Sequence, residues 1–344
     1  MSILYLLDSD ISVHKEGKRL IIKKKKKAIQ QIHIFKLSQV IVIGYITLTN
    51  HVIRTLLSEG IDTVFMTKKG KYLGRLQSPK SKNIFLRKIQ FQQFDNSSFI
   101  LKTAKAIVSG KLRNQRALLQ RIQRSSKRDL GFSKVIAELK RLVDKCKFAK
   151  DLDELRGYEG IAAAMYFPAW GKGLKVENIK FSNRNRRPPK DPVNALLSLG
   201  YTLLLNNVIS ILELVGLDPY IGTLHTLEYG RPSLALDLME EWRPILIDSL
   251  VLSVFNLGVI SIDDFTKNVQ EEDDNISDSI GAVYLKDCGW RKYITQFERK
   301  MSTEITFHLT KQRMTYRNAI EQQIRHFVKY IKGETSEYIS TPFK

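Results

Sequence analysis

The sequence predicts an α+β protein in which a small, sandwich-like β-rich domain precedes a larger all-α domain. Up to about residue 80, short runs rich in β-branched residues are separated by turn signals such as Glu16-Gly17. From about residue 81 the apolar residues recur with the period of helices. With 344 residues the chain exceeds the usual size of one domain, and its hydrophobic fraction of 43% supports well-formed cores.

The first region is expected to contain seven strands and one helix. The predicted strands cover residues 3–7, 11–14, 20–24, 31–35, 39–43, 63–66 and 71–76. Thr49 is placed to cap a helix over residues 50–58, which ends at Gly60. Ser78-Pro79-Lys80 has the composition of a linker. We therefore predict a β-rich domain over residues 1–80, with a linker and the start of the first long helix at residues 81–90.

The second region is expected to form a helical domain over residues 91–332, followed by a tail at 333–344 with no strong pattern. Predicted helices cover residues 83–94, 98–124, 134–145, 152–165, 192–215, 234–255 and 311–331. Asp191 before Pro192 has the pattern of an N-cap and a first-turn proline, and Gly216 should end the same helix. Pro244 should bend or end the helix over 234–255.

Positive charge is concentrated in the first part of the chain. Residues 1–150 contain 33 of the 56 Lys and Arg residues but only 9 of the 35 Asp and Glu residues, and the formal net charge is +21. The remainder carries 23 basic and 26 acidic residues. This division indicates a protein that holds a polyanion on basic surfaces and keeps carboxylates for a cation.

Cysteine usage and hydropathy exclude several other classes. Cys146 and Cys288 are far apart, so they form neither a zinc site nor a disulfide framework, and we interpret them as thiols in a reducing cytoplasm. The apolar N-terminus lacks a basic segment, so we interpret it as a strand and not a signal peptide. The apolar stretch at 193–215 contains Asn and Glu residues, which predicts a buried helix and no membrane span.

One window near the middle of the chain suggests metal chemistry. Asp237 and Glu240 are three residues apart in a helical segment, so both carboxylates project from one face. His225 precedes them, and the loop Tyr229-Gly-Arg-Pro232 can turn it toward that face. An imidazole together with carboxylates suits Mn²⁺ or Mg²⁺. Spacing alone does not choose between Glu240 and Glu241, and each residue alone also fits an ordinary structural role.

Glu159 is a further candidate because it stands between Gly157 and Gly160 in a segment of small residues. A carboxylate where helices approach closely is costly unless it is paired or bound to a metal. The alternative interpretation is an exposed helix acid beside a close helix crossing, and composition favours neither.

An ordered set of motifs resembles the CRISPR-associated spacer-acquisition integrases, the universal endonuclease subunit of CRISPR systems. The resemblance covers nearly the whole chain and rests on Lys111-Leu-Arg-Asn-Gln115, Leu155-Arg-Gly-Tyr-Glu159-Gly160, Arg184-Asn-Arg-Arg-Pro-Pro-Lys-Asp191, Leu224-His225, Gly230-Arg-Pro-Ser-Leu-Ala-Leu-Asp237-Leu-Met-Glu240 and Trp242-Arg-Pro244. It implies that Glu159, His225 and Glu240 bind a catalytic Mg²⁺ or Mn²⁺, with Asp237 close by in support. Glu240 stands where some relatives have aspartate, and its longer side chain should still reach the ion.

The same resemblance implies the reaction and the partners. It implies a prokaryotic, cytoplasmic enzyme of antiviral defence that inserts spacer DNA into a CRISPR array through attack by a 3′-hydroxyl. Its substrates would be double-stranded prespacer DNA and the CRISPR repeat. It further implies a homodimer formed through the N-terminal β domain, and a small ferredoxin-like CRISPR-associated partner.

Several basic residues are candidates for phosphate contact. The expected DNA-binding residues are Arg113, Arg116, Arg184, Arg186, Arg187 and Lys190. We interpret the five lysines at 23–27 as a solvated edge or turn that discourages strand pairing. Arg231 and Arg243 flank the acidic helix and could pair with its carboxylates instead of DNA.

Two rival functions remain open from the sequence. A structure-selective nuclease for branched or repair DNA could use the same metal site. A non-catalytic DNA-binding scaffold would instead use the acids in structural ion pairs.

Overall fold

A computed structural model of the chain describes residues 2–76, 78, 83–176, 178–185, 188–226, 228–267 and 281–343. A β-rich N-terminal region is followed by a helix-rich region, so the predicted α+β class is confirmed. Two of the expected DNA contacts, Arg186 and Arg187, lie outside the described residues, as do residues 79–82 of the predicted linker.

The N-terminal region consists of two four-stranded sheets and a helix, α1 (Asn50–Ser58). Its strands are β1 (Ser2–Leu6), β2 (Ile11–Glu16), β3 (Arg19–Lys24), β4 (Lys27–His33), β5 (Leu37–Ile43), β6 (Thr47–Leu48), β7 (Asp62–Met66) and β8 (Tyr72–Leu76). One sheet has the order β1-β5-β7-β8 and the other the order β4-β3-β2-β6. A cluster of buried apolar side chains from both sheets and α1 forms the core of this region.

The central strand β5 is buried on both faces. Alternation along the strand directs Val40 and Val42 into the core between the sheets, whereas Ile41 and Ile43 join the core of the helical region. Ion pairs also cross between the two regions. Arg75 on β8 lies 3.2 Å from Asp62 on β7 and 2.9 Å from Glu213 in the helix-rich region. The β-rich region is therefore packed directly against the helices.

The lysine run at 23–27 forms the hairpin turn between β3 and β4. Lys25 and Lys26 have positive φ angles, as a tight hairpin turn requires, and β4 is an exposed edge strand. This placement agrees with the interpretation of the run as a solvated edge or turn. The strand predicted at 31–35 needs correction. The observed strand β4 pairs with β3 from Lys27, directly after the turn, and ends at His33.

The helix-rich region contains nine helices within the described residues. These are α2 (Ile84–Phe94), α3 (Ser97–Ser125), α4 (Ser133–Phe148), α5 (Leu152–Gly171), α6 (Pro192–Val215), α7 (Ser233–Met239), α8 (Ser249–Asn256), α9 (Asp287–Met301) and α10 (Tyr316–Ile331). Short antiparallel pairs join β9 (Phe265–Thr266) to β10 (Tyr284–Leu285) and β11 (Glu304–Thr306) to β12 (Arg313–Thr315).

Helix α6 begins and ends where its capping residues predict. The Asp191 side chain accepts a hydrogen bond from the backbone N–H of Asn194, and Gly216 adopts the left-handed conformation at φ 98°. By length and composition alone α6 could cross a membrane, but 61% of its most apolar window is buried inside the protein. Its apolar surface is therefore covered by other helices.

Other predictions need correction. The Thr49 side chain makes no capping hydrogen bond to α1. The single helix predicted over 234–255 is divided into α7, a π-helical segment at Arg243–Asp248 and α8, because Pro244 cannot continue the α-helical hydrogen bonds. The last helix starts at Tyr316 and not at 311, because the residues before it pair as β12.

Candidate active site

The Asp237 carboxylate organises the loop that carries His225. Asp237 is fully buried and accepts hydrogen bonds from the backbone N–H groups of Thr223 (2.5 Å), Leu224 (2.9 Å) and His225 (3.1 Å). Its Oδ1 also lies 2.6 Å from Nδ1 of His225. In a neutral imidazole with Nδ1 protonated toward Asp237, the lone pair of Nε2 is left for a ligand. Asp237 is therefore a positioning residue, since its own oxygens are fully used.

Gly222 permits the close approach of this loop to α7. A Cβ at Gly222 would lie 2.7 Å from Cβ of Ser233 and 2.9 Å from Oδ2 of Asp237. Both distances are far shorter than a carbon side chain tolerates, so only glycine fits here without movement of the loop.

We expect Gly222→Ala to displace the loop and to lower metal affinity by about 10- to 100-fold, the usual cost of disturbing the support of a metal ligand. Isothermal titration with Mn²⁺ would measure the change. The matched control is Gly74→Ala, because a Cβ at Gly74 meets no atom within 4 Å. Equal affinity in the two variants would contradict the role assigned to Gly222.

Glu159 and Glu240 meet at the ammonium group of Lys111. Lys111 projects from α3 and contacts a carboxylate oxygen of Glu159 on α5, and its Nζ lies 2.6 Å from Oε2 of Glu240. The side chains of Lys111 and Glu240 are 8% and 1% exposed, whereas that of Glu159 is 21% exposed. Two predicted ligands are thus brought to one cation, and one of the two opens to solvent.

The surroundings of Glu240 keep it ionised. Burial alone would raise the pKa of Glu240, but the charges of Arg243 and Lys111 outweigh burial and lower the pKa to about 2. Arg243 lies 3.0 Å from Oε1 of Glu240, which confirms that this arginine pairs with the acidic helix. Arg231 pairs instead with Glu228.

The three predicted ligands do not surround a common point in this structure. In the part of the chain that the structure describes, no three His, Cys, Asp or Glu side chains are grouped closely enough to enclose a metal ion. The structure brings Glu159 and Glu240 together through Lys111, and it fixes His225 on Asp237 beside the same helix. Two carboxylates therefore share one cation, and the imidazole is held by Asp237, which lies three residues before Glu240.

Sequence reasoning missed the role of Lys111. The residues of α3 that face the core include Ala104, Ile107, Val108, Leu112, Gln115, Leu118, Leu119 and Ile122. Lys111 follows the same spacing of three and four, so its position on the apolar face was visible in the sequence. A lysine on that face needs a buried anionic partner, and here it has two.

A buried network also contacts Arg243. The guanidinium of Arg243 lies 4.8 Å from the ring centre of Tyr201, whose hydroxyl donates to Asp248 at 2.5 Å. The hydroxyl of Tyr166 donates to the same carboxylate at 2.7 Å. Burial raises the pKa of Asp248 to about 6 even though both hydroxyls lower it. The network fixes the direction from which Arg243 approaches Glu240.

Glu241 faces away from this centre and anchors the C-terminal segment. It accepts hydrogen bonds from the Tyr338 hydroxyl and from the backbone N–H of Thr341, both at 2.5 Å. Asn114 on α3 donates to the carbonyl of Thr341 at 2.8 Å. The residues predicted as a tail without strong pattern are therefore partly buried against α3. The structure also separates the roles of Glu240 and Glu241, which spacing did not.

We expect the free energy of unfolding to decrease as the pH rises from 6.5 to 8. Burial raises the pKa of Glu241 to about 8, against an unfolded value near 4.3, so the folded protein binds more protons in this window. The slope should approach about −1.4 kcal/mol per pH unit. Denaturant unfolding of the protein and of Glu241→Gln would test this, because the variant should lose the slope. A slope that persists in Glu241→Gln would have another origin.

The described DNA-binding candidates differ in their surroundings. Arg113 and Lys190 are exposed, and Arg116 is partly buried. Arg184 donates to Asn194 at 2.7 Å and to Ser198 at 2.9 Å, so it holds the segment before α6 against that helix. DNA contact by these four residues stays a prediction.

Comparison with known proteins adds independent findings. The family described as "CRISPR associated protein Cas1" matches residues 4–299. A protein of Thermus thermophilus named "CRISPR-associated endonuclease Cas1 3" is 34% identical over 340 residues, which is 98% of this chain and 96% of the relative.

Solved structures agree with these sequence matches. A structure named "Casposase bound to integration product" has a TM-score of 0.83 at 25% identity and covers 98% of this chain and 93% of its own. A chain of a "Cas6-RT-Cas1--Cas2 complex" has a TM-score of 0.83 at 28% identity over 98% of this chain. Only 36% of that longer chain is matched.

Proposed function

The chain belongs to the Cas1 family of CRISPR-associated proteins, and from this premise we propose that it is a metal-dependent DNA endonuclease and integrase. Its role would be to insert spacer DNA into a CRISPR array. The relative from Thermus thermophilus is named an endonuclease, and a structural neighbour is a casposase bound to an integration product. The first name is that of a nuclease and the second is that of a protein bound to the product of an integration reaction, which supports the proposal.

The proposed metal ligands are Glu159, Glu240 and Nε2 of His225. Two carboxylates and one imidazole suit Mg²⁺ or Mn²⁺. The fit is supported by Lys111, whose ammonium already stands between the carboxylates as a cation. A bound divalent ion supplies Lewis-acid stabilisation of charge on the scissile phosphodiester.

The protein's own side chains would orient and balance this centre. Asp237 holds His225 in the tautomer that presents Nε2. Glu159 and Glu240 are neutralised by Lys111 and Arg243 as the site stands. A divalent cation would add two positive charges, so the loaded site would attract a phosphodiester anion. Metal binding and DNA binding at the centre should therefore reinforce each other.

The proposed reaction is a one-step transesterification. The 3′-hydroxyl oxygen of prespacer DNA attacks the phosphorus of a phosphodiester in the array repeat, a new P–O bond forms, and the former 3′ oxygen leaves with the proton that the attacking hydroxyl gives up. Water in place of the hydroxyl gives simple cleavage. The step needs no covalent enzyme intermediate, which agrees with a site made of metal ligands and cations.

The two regions of the chain would have different roles in a larger complex. We assign residues 1–80 to a dimerisation domain, residues 81–90 to a connection and residues 91–332 to the catalytic domain. The exposed edge strand β4 is compatible with a homodimer. A structural neighbour comes from a complex with Cas2, which supports a CRISPR-associated partner for this chain; we propose that this partner is small and ferredoxin-like. Such a complex would act on DNA in the prokaryotic cytoplasm.

The observation that carries the proposal is the convergence of Glu159 and Glu240 on one buried cation beside the Asp237–His225 pair. The deciding experiment supplies purified protein, Mn²⁺, a labelled prespacer and a plasmid that contains the repeat. We expect the label to become joined to the plasmid. Efficient cutting of a branched duplex without any joined product would favour the structure-selective nuclease instead.

A further inference from the structure

The segment at residues 338–343, which we call the strap, is buried although it has no regular secondary structure. Tyr338, Ser340 and Thr341 are 5%, 7% and 4% exposed, and none of them belongs to a helix or a strand. A buried segment of this kind must find hydrogen-bond partners for its backbone in other parts of the protein. The positions of those partners show what the strap holds together.

Asn114 on α3 supplies several of these partners. Its Nδ2 group donates to the carbonyl of Thr341 at 2.8 Å, and its Oδ1 accepts from the backbone N–H of Phe343 at 2.8 Å. The same Nδ2 group also donates to the carbonyl of Glu241 at 2.8 Å. One amide, which is 1% exposed, therefore ties α3 to the strap and to the residue that follows Glu240.

Glu241 and α10 bind the strap from other sides. The Glu241 carboxylate accepts hydrogen bonds from the Tyr338 hydroxyl and from the backbone N–H of Thr341. Gln323 on α10 donates to the Tyr338 hydroxyl at 2.9 Å and to the carbonyl of Ile339 at 2.7 Å. The strap is thus attached to α3, to α10 and to the end of α7 at the same time.

Gly110 allows the strap to lie directly on α3. A Cβ at Gly110 would overlap Cβ of Ser340 and would lie 2.6 Å from its Oγ. The next nearest atom, Cβ of Glu241, would be at an ordinary contact distance of 3.8 Å. Contact with Ser340 therefore requires glycine here, although glycine is a poorer helix former than alanine.

The strap is attached directly beside the candidate metal centre. On α3, Gly110 precedes Lys111 and Asn114 follows it by three residues, and after α7 Glu241 follows Glu240. The same two segments meet within the centre, because Nζ of Lys111 lies 2.6 Å from Oε2 of Glu240. Movement of α3 against the end of α7 would therefore disturb the strap and the centre together.

Helix α7 needs such support. It has only seven residues and ends directly before Glu240, and a helix this short depends on tertiary contacts for its stability. Glu159 reaches the centre from α5 by its contact with Lys111 of α3. The relative position of the two carboxylates therefore depends on how α3 is held against the end of α7.

We propose that the strap is a positioning element of the metal centre, which binds α3 to the end of α7 and so sets the position of Glu240 relative to Glu159. The inference rests on the proposed function, because it assigns a support to the metal ligands that this function needs. Asn114 and Ser340 are positioning residues, since they act on the ligands through α3 and Glu241.

The test uses the full chain with Gly110→Ala, with Ser340→Gly and with both changes together. Gly110→Ala should push the strap away from α3, and the double variant should let it return, because Ser340→Gly removes both atoms that the new Cβ would meet. Hydrogen–deuterium exchange of residues 336–343 reports release of the strap, and isothermal titration with Mn²⁺ reports metal affinity. We expect Gly110→Ala to bind Mn²⁺ about 10- to 100-fold more weakly. Ser340→Gly and the double variant should bind Mn²⁺ almost as tightly as the unmodified protein.

Asn114→Leu releases the strap in a second way, because leucine has a similar volume and makes none of the three hydrogen bonds of Asn114. The matched control is Gln39→Leu, which removes another buried amide, one that donates to Asp62 at 2.7 Å in the β-rich region. Both variants should lose unfolding free energy in denaturant, but only Asn114→Leu should also lose Mn²⁺ affinity. A purely structural role of Asn114 would not produce this difference.

Each other outcome counts against the strap or against the metal centre. Unchanged Mn²⁺ affinity in a variant whose strap exchanges rapidly would overturn the proposal, and so would a loss in Gly110→Ala that persists in the double variant. An equal loss of Mn²⁺ affinity in Gln39→Leu would also overturn it. Slow exchange of the strap in both Gly110→Ala and Asn114→Leu would overturn its anchoring. If the unmodified protein itself binds no Mn²⁺, the proposed function fails and the inference fails with it, so the two kinds of failure are distinguishable.

Discussion

Alanine at Glu159, His225 or Glu240 is expected to lower strand transfer by more than about 100-fold, because disturbing the support of a metal ligand already costs about 10- to 100-fold. DNA binding measured in EDTA should survive, since the basic surfaces are unchanged and no metal contributes under that condition. The assay is the joining of a labelled prespacer to a plasmid that contains the repeat. His51→Ala and Glu59→Ala are suitable controls, because both side chains are exposed and distant in sequence from the site.

The three variants differ in their structural risk. Glu240→Ala would leave Lys111 and Arg243 facing each other in a buried site, and loss of one partner of a buried ion pair costs about 3–5 kcal/mol. Glu240→Gln keeps the volume and should be tested beside it. Full strand transfer in any of the ligand variants would show that the residue is not a ligand. Loss of DNA binding in EDTA together with loss of activity would indicate misfolding.

Lys111→Met is expected to have the second large effect. In the absence of metal it leaves two neighbouring carboxylates with one fewer cation, and we expect a loss of about 3–5 kcal/mol of unfolding free energy. A divalent cation should restore more stability in this variant than in the unmodified protein, because it no longer meets the repulsion of an ammonium group. Denaturant unfolding with EDTA and with Mn²⁺ measures both effects.

Lys134→Met is the control for this prediction. Lys134 is exposed, and its replacement by Met removes the same charge as Lys111→Met. An equal response to Mn²⁺ in Lys111→Met and Lys134→Met would contradict the idea that Lys111 stands at the metal position. A loss of Mn²⁺ binding in Lys111→Met would instead show that Lys111 helps to hold the metal ligands in place and does not occupy the position of the metal.

Much of the fold follows from local signals in the sequence. The capping pattern of Asp191 and Gly216 defines the bounds of α6, because both residues satisfy backbone groups at the helix ends. The break that Pro244 predicts in the helix over 234–255 is confirmed. The π-helical form of Arg243–Asp248 is not predicted by the sequence, because it depends on tertiary packing. Helix α9 was not predicted, because aromatic residues at Trp290, Tyr293 and Phe297 carry its buried face among many charged neighbours.

The candidate site was less accessible from local signals. Resemblance supplied Glu159, His225 and Glu240 as a set, and the structure adds the reason why Asp237 accompanies His225. A count of charges gives Lys111 no particular role, because it does not register which helix face a lysine occupies. Contacts between distant segments, such as Glu241 with Thr341, leave no periodic signal at all.

The most direct test of the central claim is pulsed electron paramagnetic resonance of Mn²⁺ bound to protein labelled with ¹⁵N-histidine. We expect one bound ion whose spectrum shows coupling to a histidine nitrogen, and loss of that coupling in His225→Ala. Binding should also weaken in Glu159→Ala and Glu240→Gln. Tight Mn²⁺ binding without nitrogen coupling, or coupling that persists in His225→Ala, would contradict it.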